Sequence, residues 1–290
     1  MVLPSEPPDD ALTPGTIVDG RYRISQLLRA SGEVAVYSAT HMDLGRNVAL
    51  NLYQGDHARA SKRFVRSGRI VSMMRHPNVV QVFDLARVDG RPMLVLEDLD
   101  GPSLAERSSV QGPLRVDEVQ AIAEQLLEVL AYVHDRGVVH RDVAAENLYQ
   151  LTSHDGSLLL KLTEFGFSKE LGGAHYTSQT ETRIIISGLT HVAPEQIMTP
   201  DSVDHRVDLY AAGAVLYRLL AGAPPFAAKN LSQLGTAILE QVPPSLTTLV
   251  DHVPAGLDEA LQQALSKNPD ERFADARAMR RALAQAFAAG

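Results

Sequence analysis

The sequence predicts an α+β fold in two lobes, a β-rich small lobe with one long helix and a mainly helical large lobe. Three features predict it. The chain has 290 residues, too many for one minimal core and suited to one large domain or two packed lobes. Its first hundred residues hold short β-branched and aromatic runs broken by turn formers. Beyond them, apolar residues recur at helical spacing.

Taken in order, residues 1–14 are rich in Pro and Asp and predict a disordered tail. The small lobe is expected over 15–99. There YRISQLL, VAVYSAT and NVALNLY, between Tyr22 and Tyr53, predict a strand meander turning at Ser31-Gly32 and Leu44-Gly45. From Ala58, Phe64, Ile70, Val71 and Met74 fall at helical spacing, with Pro77 as the stop. VVQVFDL and RPMLVLEDL then predict two strands around Asp89-Gly90. The large lobe is expected over 100–290. Val116 to Asp135 places Val119, Ile122, Ala123, Leu126, Leu127, Leu130 and Val133 on one helical face. LYQLT and LLLKLT predict a hairpin around His154-Asp155-Gly156, and Ser168 to Thr182 a long polar loop. Further helices are expected near 205–221, 230–240, 257–266 and 274–288. The segment from Asp208 to Leu220 is apolar nearly all round, so it should be buried.

The net charge of -8 argues against a general nucleic-acid binder. With no cysteine there are neither disulfides nor thiolate metal sites, which fits a reducing compartment. The start, MVLPSEPPDD, is unlike a signal peptide. The most apolar run, LYAAGAVLYRLLAG, contains Arg218 and is too short to span a bilayer. A cytoplasmic protein without direct membrane insertion is the expectation.

The chemistry is concentrated in HRDVAAENLYQ, residues 140–150. An Asp followed five residues later by an Asn suits one base and one metal ligand on a short loop. Ala144 and Ala145 stand between them, where a phosphate-handling loop would carry positive charge. Around this loop lie VAL at 48–50, RHPNVVQ at 75–81, LVLEDLDG at 94–101, EFG at 164–166, APE at 193–195, DLYAAG at 208–213 and NPDERF at 268–273. In that order and spacing, the chain resembles bacterial serine/threonine protein kinases of the eukaryotic type over about residues 16–288, as a degenerate member. The resemblance implies a protein-kinase-like fold with a nucleotide cleft.

It also implies which residues should act. The phosphate-gripping Lys of the third strand is Asn51 here, and the Glu that pairs with it matches Ser67. The family's loop glycines fall at Arg29, Ser31 and Val34, with Gly32 out of place. Arg29 is a candidate relocated cation. Asp142 matches the catalytic base, and Asn147 and Glu164 match the metal ligands; the Lys two residues after the base is Ala144. Glu164 is one methylene longer than the usual Asp, which suits magnesium's rigid octahedron poorly. The adenine pocket would comprise Val36, Ala49, Leu96, Glu97, Leu99 and Tyr149, the last in an aliphatic position whose ring could fill the pocket. A charge aimed at a developing anion is typically worth about 3–4 kcal/mol. Losing two should leave little activity.

Scaffold positions are kept. His140 and Phe165 with Val71 and Val82 match the apolar column of active kinases, Asp208 the anchor of the buried helix, and Glu195 with Arg272 a large-lobe ion pair. The expectation is therefore a catalytically inactive pseudokinase, a regulatory or scaffolding protein in bacterial Ser/Thr kinase signalling, with no cofactor and with ATP/Mg binding weak or absent. Thr180 and Thr182 match activation-loop phosphosites, and Gly188 replaces a substrate-side Thr. An active kinase or a forkhead-associated domain would be the protein partner, with no nucleic acid. Two alternatives stand beside it. One is an atypical ATP-dependent kinase or nucleotidyl transferase of low activity using Asp142, Asn147 and Glu164. The other is a non-catalytic nucleotide-responsive switch.

Overall fold

The computed structural model describes residues 11–31, 33–165 and 189–289. They form two compact units that divide between Asp100 and Gly101.

The first unit is built on a six-stranded antiparallel sheet of order β1-β2-β3-β4-β6-β5. Its strands are β1 (Ile17–Val18), β2 (Tyr22–Ser31), β3 (Val34–His41), β4 (Arg46–Tyr53), β5 (Val82–Val88) and β6 (Arg91–Glu97). Side chains alternate across a strand. Ala35, Tyr37 and Ala39 of β3, Val48, Leu50 and Leu52 of β4, and Met93 and Val95 of β6 therefore share one buried layer. Helix α1 (Ala58–Ser72) packs on β5 and β6 and buries Phe64, Gly68 and Val71. Gly68 meets the Leu94 side chain so closely that a Cβ there would need Leu94 to move.

Three expectations change here. Residues 11–14 do not belong to a tail: Leu12 packs against the sheet core, and its N–H donates to the Tyr37 hydroxyl at 3.2 Å. β1 pairs with β2 through Ile17 and Val18, a two-residue run too short to show periodicity. α1 ends at Ser72, well before Pro77. Met73 N–H turns to Ile70 O at 3.2 Å and Met74 N–H to Val71 O at 2.9 Å, a tightened last turn. Ile70 is only half-buried, and Gly68 takes its place on the packed face.

The second unit is helical around one hairpin, β7 (Leu148–Thr152) with β8 (Leu158–Leu162). Its helices include α2 (Leu104–Gln111), α3 (Val116–His134), α4 (Pro194–Met198), α5 (Arg206–Ala221), α6 (Leu231–Glu240), α7 (Ala255–Ala264) and α8 (Ala276–Ala288). All seven residues assigned to the apolar face of α3 are buried. α5 is buried over 13 of its 16 residues, so it forms the centre around which α3 and α7 pack. α2 was not expected. A capping box starts it, with Glu106 N–H donating to Ser103 Oγ at 3.2 Å and Ser103 N–H to Glu106 Oε2 at 2.8 Å. α7 starts at Ala255, two residues before the apolar pattern begins, because Pro254 supplies a fixed φ at its cap. Among the described residues, no helix is long and apolar enough to cross a membrane. The polar loop of 168–182 lies outside the described residues.

Gly213 of α5 faces α7, and a Cβ on it would lie 2.8 Å from the Cβ of Ala264. Neither atom is at the end of a flexible side chain, so the helices themselves must separate. Gly213→Val is expected to cost about 1–3 kcal/mol by overpacking. Thermal unfolding should show this as a fall in Tm of about 2–10 °C.

Candidate functional site

The site begins with a buried carboxylate. Asp208, in the first turn of α5, is wholly shielded from solvent. A buried charge persists only where donors replace its water. Asp208 has three: His140 N–H at 2.8 Å and His134 Nε2 at 2.8 Å on Oδ2, and Arg141 N–H at 2.7 Å on Oδ1. Facing a carboxylate, His134 Nε2 carries the proton. Arg141 takes a left-handed conformation, φ 66°, which lets two successive N–H groups converge on one side chain. Asp208 thereby sets where the loop from His140 to Asn147 leaves the helical bundle.

His140 carries the order one step further. Asp142 N–H donates to its Nδ1 at 3.2 Å, so the ring proton sits on Nε2 and donates to Thr163 O at 2.8 Å. The ring also meets Phe165 edge-on, with centroids 4.6 Å apart. His140 therefore ties the loop of Asp142 to the segment carrying Glu164. Val71 is buried on α1 and Val82 half-buried on β5, both in the first unit.

Asp142 and Asn147 come together as one buried group. Asn147 Nδ2 donates to Asp142 Oδ2 at 2.9 Å and to Asp142 O at 3.0 Å. Two acceptors on that side orient the amide. Asn147 Oδ1 accepts no hydrogen bond among the described residues. The Asn147 carbonyl is held by Thr163 N–H at 3.0 Å and Thr163 Oγ1 at 3.1 Å. His191 Nε2 lies 3.3 Å from Asp142 Oδ1. The family pattern did not flag His191, and its only signal was a histidine two residues before the APE run.

Glu164 is left-handed, with φ 63°. Asp and Asn tolerate that region better than Glu does, so the longer residue is strained where it stands. The donor set nevertheless fits magnesium as it binds with a nucleotide, through one or two protein ligands plus phosphate oxygens and waters. Asn147 Oδ1 and the Glu164 carboxylate are a set of that size. Among the described residues, no group of three or more His, Asp or Glu could hold an ion alone.

The cation positions are filled by other chemistry. Ala144 is a buried methyl beside the base. Asn51 is buried in the sheet of the first unit, in register with Val36 and Leu94. Ser67 is half-buried on α1. Arg29 sits on β2 opposite Val36, just past a register irregularity. Ala49 and Leu96 are cross-strand partners, with Glu97 and Leu99 following on the same edge. Tyr149 belongs to the second unit, where it pairs with Lys161 across the hairpin and bridges to Ser103. Thr180, Thr182 and Gly188 lie outside the described residues.

Glu195 and Arg272 form a bidentate pair at 2.6 and 2.7 Å. The Arg272 side chain is fully buried and also donates through Nε to Ser266 O at 2.8 Å. Gln196, which pattern reading missed, accepts from Ala193 N–H and donates to Arg141 O, both at 3.0 Å. It couples the APE segment to the loop of Asp142.

Comparison with known proteins agrees with this arrangement. A protein kinase domain model matches residues 30–287. The chain is 33% identical to serine/threonine-protein kinase Pkn1 of Myxococcus xanthus, over 93% of this chain and 38% of the relative. It is 30% identical to PrkC of Bacillus subtilis, over 94% and 41%, and 33% identical to PknL of Mycobacterium tuberculosis, over 91% and 65%. The chain thus spans less than two thirds of the length of these curated relatives. In fold it is similar to Rad53 residues 1–466, solved in complex with AMP-PNP. The TM-score is 0.71 at 21% identity, over 91% of this chain and 65% of that one.

Two expectations are overturned by these findings. The chain was expected not to be an enzyme, yet the matching family model and the relatives are kinases by name. ATP/Mg binding was expected to be weak or absent, yet these kinases are its relatives and the fold neighbour Rad53 is seen with an ATP analogue. The expectation followed from the side chains at 51 and 144, whereas Asp142 and Asn147 of the second unit remain joined by a hydrogen bond of 2.9 Å.

Removing one partner of a buried ion pair strands the other charge. Glu195→Ala is therefore expected to destabilise the fold by about 3–5 kcal/mol, measured by chemical denaturation, whereas an exposed control, Asp117→Ala, should leave the denaturation midpoint essentially unchanged.

Proposed function

The chain belongs to the protein kinase family, and on that premise we propose that it serves bacterial serine/threonine kinase signalling as an atypical ATP-dependent phosphotransferase. One observation supports this most: Asn147 Nδ2 holds Asp142 Oδ2 at 2.9 Å, a base in a fixed orientation beside an unused amide oxygen. In this reading a substrate hydroxyl attacks the γ-phosphorus of ATP as the bond to the ADP oxygen breaks. The hydroxyl proton passes to Asp142. Asn147 and Glu164 would hold magnesium, which neutralises phosphate charge when bound. The family pattern assigns the adenine to Val36, Ala49, Leu96, Glu97 and Leu99 of the first unit and to Tyr149 of the second.

The absence of cations at 51 and 144 makes the proposed enzyme slow, since one preorganised charge is worth about 10²–10³ in rate. The two losses need not add. That same absence favours a coupled regulatory role, in which nucleotide binding is read by a protein partner. An active kinase acting on Thr180 or Thr182, or a forkhead-associated domain reading the phosphate, fits that role.

Label transfer from γ-labelled ATP to a general acceptor protein tests the proposal. The native chain should transfer label slowly with magnesium or manganese, and Asp142→Asn should abolish transfer while leaving ATP-induced stabilisation intact. No transfer by the native chain under either metal would sink it. Ala144→Lys should raise the rate by about 10–10³. Glu164→Asp should raise stability by about 1 kcal/mol, by easing the left-handed backbone, and should lower the magnesium concentration needed for half-maximal rate.

A further inference from the structure

The exposed face of α1 is strongly basic. Residues 57–75 include Arg59, Lys62, Arg63, Arg66, Arg69 and Arg75 and no Asp or Glu, in a chain whose net charge is -8. Helix geometry sorts them. Phe64, Gly68 and Val71 face the sheet, while Lys62, Arg66 and Arg69 line the opposite, exposed side at i, i+4 and i+7. Arg87 comes up beside them from β5, its Nη1 donating to Gly90 O at 2.7 Å. Helix and strand enclose an open cavity of about 340 Å³ lined by Ser61, Lys62, Val65, Arg66, Arg69 and Arg87.

Several arginines elsewhere in the molecule meet carboxylates: Arg115 meets Asp117 at 2.8 Å, Arg206 meets Asp204 at 2.8 Å and Arg280 meets Glu124 at 2.9 Å. Lys62, Arg66, Arg69 and Arg87 form no ion pair among the described residues. Like charges three and four residues apart cost a helix a few tenths of a kcal/mol per pair. The first turn also lacks the acidic residue that the helix dipole favours there. Folding gains nothing from this clustering.

We propose that this groove binds a phosphorylated peptide segment of a protein partner, at a site separate from Asp142. Guanidinium groups match phosphate oxygens through paired N–H donors, and a phosphomonoester brings about two negative charges and three strong acceptors. Three guanidiniums and one ammonium around a single small cavity suit one such group with its flanking backbone. A polynucleotide would need a continuous basic track, and at longer range the net negative charge of the chain repels it.

Fluorescence anisotropy with the full chain tests this, using a degenerate phosphothreonine peptide pool, its unphosphorylated counterpart and a single-stranded DNA oligonucleotide. The phosphorylated pool should bind at least tenfold tighter than the unphosphorylated one and weaken as salt is raised. Arg66→Ala with Arg69→Ala and Arg87→Ala should reduce binding at least tenfold, and Arg115→Ala should leave it unchanged. Arg66→Lys with Arg69→Lys and Arg87→Lys keeps the charge but not the paired donors, so it should lose binding by a smaller factor of at least threefold. Equal binding of the two peptide pools, tighter binding of the oligonucleotide, or unchanged binding in the alanine variant would overturn the proposal. Label transfer to the general acceptor should be the same in the native chain and the alanine variant, so this site and the phosphotransfer site fail separately.

Discussion

The carboxylate of Asp208 is the constraint on which the functional part of the molecule depends. It is buried on an apolar helix, where an ion is tolerated only if donors replace its water. Two of its three donors are the successive backbone N–H groups of His140 and Arg141. Satisfying Asp208 therefore fixes the loop that carries Asp142. From there the order passes through the His140 ring to Thr163, and through Thr163 to the carbonyl of Asn147. One desolvated charge on the central helix thus positions the base and both proposed metal ligands.

What this framework holds is uneven. Asp142 and Asn147 stand hydrogen-bonded in the second unit, while the positions where the family pattern has a Lys carry a buried methyl at 144 and, in the first unit, a buried amide at 51. Glu164 shows the opposite effect. It keeps its charge but strains its backbone, since the left-handed conformation suits the shorter Asp better.

Helix α1 shows the same division between packing and charge. Its inner face is chosen by space, to the point that a Cβ at Gly68 would displace the Leu94 side chain. Its outer face is chosen by electrostatics and stays basic in an acidic protein. Ser67, where a paired Glu would reduce that charge, leaves the helix without an acidic residue.

Residue pattern alone made much of the fold legible. Runs of β-branched and aromatic residues between turn formers marked β2, β3 and β4, helical spacing marked α3, and a segment apolar nearly all round marked the buried α5. The motifs marked Asp142, Asn147, Glu164, Asp208, Glu195 and Arg272 by their order along the chain. Short or cap-driven pieces escaped: β1 is two residues long, and α2 is announced only by Ser103 and Glu106. The expectation of inactivity, drawn from the residues at 51, 67 and 144, is overturned by the matching family model and by relatives that are kinases by name. His191 beside Asp142, Gln196 beside Arg141, and Arg87 beside Arg66 join residues far apart in the chain, the first pair by 49 positions and the second by 55. Local pattern records which face a residue turns to the core. Which distant residue it meets there is decided only when the elements pack.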